Sequence, residues 1–75
     1  SDLTLLEATA RNDEEGNPFG GLVKEGTAAL LNSYSRESFP YKPRQVKTLV
    51  IKALVSHAAA ASQANNFFLA NQACS

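Results

Sequence analysis

A helix running unbroken from Pro43 to Gln72 would be about 45 Å long at 1.5 Å per residue, too long for 75 residues to bury in one globule. The stretch must therefore break, and Ser56 supplies a hydroxyl suited to an N-cap at that point. On the near side, Pro43 suits a first helical turn, where its missing N–H costs nothing. A helix over 43–55 then carries a main apolar stripe of Val46, Leu49, Val50, Ala53 and Leu54. Ile51 and Val55 fall outside that stripe, so the helix is apolar over more than half its circumference and is expected to be central, touched on two sides. On the far side, a helix over 57–72 begins its stripe small, at Ala60, Ala61 and Ala64, and ends it large, at Phe67 and Phe68. Small residues let one end lie close to a neighbour while the phenylalanines fill the wider end.

Upstream, Val23, Thr27, Leu30, Leu31 and Tyr34 recur at helical spacing and predict a helix over 20–33. Gly26 lies inside it, where glycine costs about 1 kcal/mol relative to alanine; close approach of another helix is the usual reason for accepting that cost. Asn32, near its end, reads as a capping or turn-bonding residue. A first helix is expected over 3–10, capped by Ser1 or Asp2, with Leu3, Leu6 and Ala10 on one side. Residues 11–18 are charged and punctuated by Gly16, Asn17 and Pro18, and read as a loop. Residues 35–42 form a connector in which Pro40 and Pro43 favour extended conformations at Phe39 and Lys42. These elements define an all-α chain: a small four-helix orthogonal or bundle-like domain with short loops, spanning 1–75 as one domain.

The chemistry of catalysis is hard to assemble from what is present. A lone His57 excludes zinc sites built on several His or Cys ligands. Cys74 and His57 are 17 residues apart, about 25 Å on one helix, too far for a nucleophile and its base. Asp13, Glu14 and Glu15 lack the ligand spacing and the glycine of an EF-hand loop, and nothing obvious buries them to raise a pKa. Gly20-Gly21 lacks the Lys-Ser or Lys-Thr that anchors a phosphate loop. No residue is assigned a catalytic, cofactor-binding or metal-binding role, and the chain is not expected to be an enzyme. Seven basic residues balance seven acidic ones, which argues against a nucleic-acid partner. No apolar run approaches the roughly 20 residues of a membrane span.

Two surface features and a cysteine remain. Arg36, Lys42, Arg44, Lys47 and Lys52 gather most of the positive charge between the connector and one face of the 43–55 helix. An acidic polymer such as pectin, or phospholipid headgroups, would meet such a face; the plainer reading is a solvated face beside an acidic N-terminal half. Phe39-Pro40-Tyr41 would serve as an exposed aromatic contact or, the favoured use, pack against the helix ends. Together with Arg44, Ile51, Val55 and Leu69, Phe39 and Tyr41 are the candidate interface residues, since exposed apolar surface in a small domain marks a partner. That partner is expected to be a protein or a second copy of the chain. Cys74, the single cysteine, reads equally as a tether to another chain or removed segment and as a free terminal thiol. Ser1 at the start suggests a processed product.

Glu25-Gly26-Thr27-Ala28, Leu31-Asn32-Ser33, Phe39-Pro40-Tyr41 and Gln45-Val46-Lys47 follow one another in an order that resembles the C-terminal domain of the plant protodermal factor family. The Ala58–Ala61 run, Gln63-Ala64, Phe68 and Leu69-Ala70-Asn71 are similar to that family's closing segment, and Leu5-Leu6-Glu7-Ala8 and Phe19-Gly20-Gly21-Leu22 to upstream stretches of it. The resemblance covers nearly the whole chain. It implies a secreted, plant cell-wall protein, non-enzymatic and of structural or interaction type. Cell-wall polysaccharide is then an additional partner. Family members usually carry a proline-rich region and further N-terminal sequence, so the chain is expected to be a fragment or processed subunit, with Cys74 finding its partner among cysteines before the domain. The competing expectation is a small ligand- or lipid-binding or defence-related bundle, with a cavity lined by Leu54, Ala61, Phe67 and Phe68. The lack of net charge weakens its membrane-active form, which needs a basic amphipathic helix.

Overall fold

The computed structural model of the chain describes residues 17–73. The helix expected over 3–10, the acidic loop that follows it and Cys74 lie outside the described residues. The described residues form three α-helices and no strands: α1 (Pro18–Ser35), α2 (Pro43–Ala53) and α3 (His57–Ala73). Three helices, rather than the expected four, therefore make up the described fold.

Each helix begins where side-chain chemistry satisfies its first N–H groups. At α1, Asn17 accepts a hydrogen bond from the Phe19 N–H at 2.9 Å through its side-chain oxygen, and Pro18 occupies the first turn. The sequence reading put this start two residues later because Asn17-Pro18 looked like loop punctuation; here the pair is a cap followed by a first-turn proline. At α2, Lys42 is extended, as a residue before proline must be, with ψ 155°, and its N–H donates to Gln45 Oε1 at 2.8 Å. Pro43 opens the helix as expected. The break at Ser56 is also present: Ser56 Oγ accepts from the Ala59 N–H at 3.0 Å, and the Ser56 carbonyl accepts from the Ala60 N–H at 3.0 Å. The second helix stops at Ala53 rather than Val55, because the Leu54 N–H closes a tight turn onto the Ile51 carbonyl at 3.2 Å.

Three contacts fix how the helices run. The rings of Phe19 and His57 meet edge to face at 4.9 Å, joining the starts of α1 and α3. Asn32 and Asn71 hydrogen-bond at 2.9 Å near the far ends of the same two helices, so α1 and α3 run parallel. The connector after α1 returns the chain through α2, whose Val50 lies against Gly26 at the middle of α1. The result is an up–down–up arrangement. Its most extensive contact is between α1 and α3, which corrects the expectation that 43–55 is the central helix.

The core consists of Leu22, Ala29, Phe39, Val46, Ala53, Ala60, Phe67 and Ala70, with Phe19, Leu30, Tyr41, Leu49, Val50 and Ala64 packed around it. Half of these eight core residues are alanine, which brings backbones close and leaves Phe67, Leu22 and Val46 as the largest fully enclosed side chains. The buried side of α1 runs through Gly20, Leu22, Gly26 and Ala29, rotated by one residue, about 100° around the helix, from the predicted stripe. Of that stripe, Leu31 and Tyr34 are each 65% exposed. Leu54 of the second predicted stripe, and Ala61 and Phe68 of the third, are likewise exposed.

Candidate interaction surface

Gly26 organises the centre of the fold. A Cβ built on it would stand 3.0 Å from Val50 Cγ2 and 3.8 Å from the edge of the Phe67 ring. The close approach expected of this glycine is therefore present, and it involves both other helices. On its outer side, α1 and α2 diverge and leave an open groove of about 420 Å³ lined by Leu22, Val23, Thr27, Leu30, Val46 and Val50, with Lys47 and Ile51 also at its walls. The lining is almost wholly apolar.

Between α1 and α3 the chain places a polar contact that sequence reasoning missed. The Asn71 carboxamide accepts from Asn32 Nδ2 at 2.9 Å and donates to the Glu25 carbonyl and to Glu25 Oε1, both at 3.1 Å. Asn32 thus acts across the helix interface rather than as a cap, and Glu25 pairs with an amide. Amide pairs have no periodicity, so no pattern in the sequence marks Asn71. Replacing Asn71 with alanine removes all three bonds while leaving partly buried partners behind. It is expected to cost about 1–3 kcal/mol, read as a lowered urea midpoint with an unchanged slope.

The expected interface residues separate into three groups. Phe39, offered as an interface residue, is only 5% exposed and belongs to the core; the favoured alternative, packing against helix ends, is what the connector does. Tyr41 is half-buried between Phe39, at 6.0 Å, and Phe67, with which it makes a T-shaped contact at 5.3 Å. Arg44, Ile51, Val55 and Leu69 are exposed, Ile51 by 70% and Val55 by 81%. Ile51, Leu54 and Val55 mark the end of α2. Phe68 and Leu69, also exposed, lie toward the opposite end of the bundle, since the start of α3 and Leu69 are about 18 Å apart along its axis. They share that end with Leu31 and Tyr34 of α1, because Asn71 meets Asn32 there. The domain therefore presents apolar side chains at both ends, not in one patch.

The cavity suggested for a lipid does not form: Phe67 is completely enclosed, while Leu54 and Phe68 are 53% and 43% exposed. His57 is an exposed helix-start residue against Phe19. Among the described residues no group of three His, Cys, Asp or Glu could hold a metal ion, and no helix is long and apolar enough to cross a membrane.

The geometry defines a small all-α domain built on a parallel helix pair with an antiparallel helix packed against it. Over residues 1–74 the chain matches the model of the Protodermal factor 1 C-terminal domain. It is also 39% identical over 70 residues to Protodermal factor 1 of Arabidopsis thaliana, covering 93% of this chain and 22% of that protein. The chain belongs to the protodermal factor 1 C-terminal domain family. It spans about a fifth of the length of the curated relative it matches. No solved structure matches it.

Proposed function

We propose that this domain is a non-enzymatic structural and interaction module of a secreted plant cell-wall protein, and that it associates with further copies or with acidic wall polymer. The observation that carries this reading is the exposure of large apolar side chains at both ends of so small a domain, with Val55 81% and Leu69 57% exposed. Solvated apolar clusters of this kind are retained where a partner covers them. Apolar surface at opposite ends also suits head-to-tail contacts, in which different patches of two copies meet.

The charges support a second contact on the same helix. From residue 38 onward the side chains of Lys42, Arg44, Lys47 and Lys52 are positive and no Asp or Glu occurs. From Arg44 to Lys52 they occupy about 12 Å of helix, a spacing that an acidic polysaccharide would meet with several charges at once. The family resemblance supports the wall location, and the exposed His57, set against Phe19 alone, supports a non-catalytic role.

The test is sedimentation of the full chain at rising concentration, paired with retention on immobilised de-esterified polygalacturonate. Association is expected to grow with concentration and to fall at least tenfold in a Val55→Asp/Leu69→Asp variant, an effect of about 1.4 kcal/mol. Retention is expected to fall with salt and with Arg44→Glu/Lys52→Glu. A chain that stays monomeric throughout and passes the column unretained would sink the proposal.

A further inference from the structure

On the face of α2 turned away from the α1 groove, two shallow clefts lie end to end and share the side chain of Leu49. The first, of about 250 Å³, is lined among the described residues by Arg44, Gln45, Thr48 and Leu49. The second, of about 220 Å³, is formed between α2 and α3 by Leu49, Lys52, Ala53, Ala59, Ser62 and Gln63. Each therefore brings together one cation, one carboxamide and one hydroxyl beside an apolar floor. Arg44, Thr48 and Lys52 recur at every fourth position, so one face of α2 carries both cations, about 12 Å apart along the axis.

In the second cleft one donor is left unsatisfied. Gln63 is half-buried, and its Nε2 is cut off from solvent without a hydrogen-bond partner. A buried N–H without an acceptor costs stability, and so calls for an acceptor from outside the fold. The terminal torsion of a glutamine is soft, so a small turn brings this N–H2 to face the cleft. The local charge favours an anion there. Lys52 stands in the same cleft, and neither α2 nor α3 carries an Asp or Glu to repel one.

We propose that the paired clefts hold a uronic-acid chain, one carboxylate meeting Gln63 Nε2, Ser62 and Lys52 and a second meeting Arg44 and Thr48. The inference rests on the acidic-polymer reading above and gives that polymer a defined seat. A carboxylate accepts from an amide, a hydroxyl and a cation at once. Repetition is what selects a polymer, because two like clefts in line match a ligand whose charged unit recurs along an extended chain. The C–H faces of the sugar rings then rest on Leu49 and Ala53. Gln45 Oε1 already accepts from the Lys42 N–H at 2.8 Å, which leaves its N–H2 for the sugar hydroxyls.

The experiment uses the full chain and a de-esterified oligogalacturonate, followed through backbone and side-chain amide resonances. Binding is expected to shift the Gln63 side-chain N–H2 together with the amides of Thr48, Leu49 and Ser62. Gln63→Leu removes the orphan donor at similar volume. It is expected to weaken binding about tenfold or more, as the loss of a charge-assisted bond does, while its urea midpoint stays or rises. Ser62→Ala, an exposed change, should weaken binding by less and leave the fold intact. Unchanged affinity in Gln63→Leu overturns the inference, and the acidic-polymer reading survives it if Arg44→Glu/Lys52→Glu still lowers retention on polygalacturonate. A lowered midpoint in Gln63→Leu also overturns it, because the amide then has a partner within the fold. Equal binding to phosphatidylserine vesicles overturns it in favour of a membrane surface. No shift with the oligomer and no retention on the polymer overturn the inference and the polymer contact together.

Discussion

Replacing Phe67 with alanine is expected to leave most of the protein unfolded at 25 °C. Phe67 is completely enclosed, presents its face or edge to Tyr41 at 5.3 Å and lies beside Gly26 of α1. Removing a buried phenylalanine costs about 3–5 kcal/mol, the higher values applying where the site cannot collapse. Collapse is difficult here, because half of the core side chains are alanines on helices already in close contact. A domain of this size has only about 3–5 kcal/mol in hand, so the loss matches the whole. The check is a thermal melt by circular dichroism. Since 1 kcal/mol moves the midpoint of a domain of this size by about 4–8 °C, a cooperative melt lowered by only a few degrees would show that the core is not built around this ring.

Gly26→Leu is expected to be nearly as damaging for the opposite reason, while Gly26→Ala is expected to be close to neutral. Alanine recovers about 1 kcal/mol of helix propensity, and its single methyl meets Val50 Cγ2 at 3.0 Å. Val50 borders the open groove and can retreat by the few tenths of an ångström required. The branched end of leucine has no such escape, because the Phe67 ring closes the other side at 3.8 Å. Overpacking of this kind costs about 1–3 kcal/mol, occasionally more. Urea titrations of Gly26→Leu with and without Val50→Ala measure the contact directly. The second substitution is expected to return about 1 kcal/mol, a coupling typical of touching residues, and strictly additive effects would mean that the two side chains do not compete for the same space.

The sequence made the punctuation of this fold readable and its helix phases much less so. Pro43, Ser56 and the Phe39-Pro40-Tyr41 connector each act through local covalent or hydrogen-bonding chemistry, and each lies where local reasoning put it. Gly26 was legible because an interior glycine in a helix has a cost that needs a reason. The buried side of α1 was not legible, because its inward positions are Gly20, Gly26 and Ala29 beside a single Leu22. Residues so small contribute little to an apolarity pattern, and Leu31 and Tyr34 pulled the predicted stripe toward solvent. The same bias promoted Ile51 and Val55 to an imagined second contact and made α2 look central. As for the candidate surface, the exposed apolar and basic residues of α2 were visible in the sequence, whereas the groove depends on how far apart two helices lie, which no residue pattern encodes.

The Asn71 carboxamide has a consequence for which structure, among close alternatives, the chain adopts. Helix α3 carries no Lys, Arg, Asp or Glu and buries only Ala60 and Ala70 besides Phe67, so apart from the Phe67 ring beside Gly26 its packing offers only small side chains to oppose sliding one helix past the other by a turn of 5.4 Å. A directional group with three partners does not tolerate that slip: one turn away, Asn71 would face neither Asn32 nor the Glu25 carbonyl. Its hydrogen bonds work as an indexing pin that gives two smooth helices a single register.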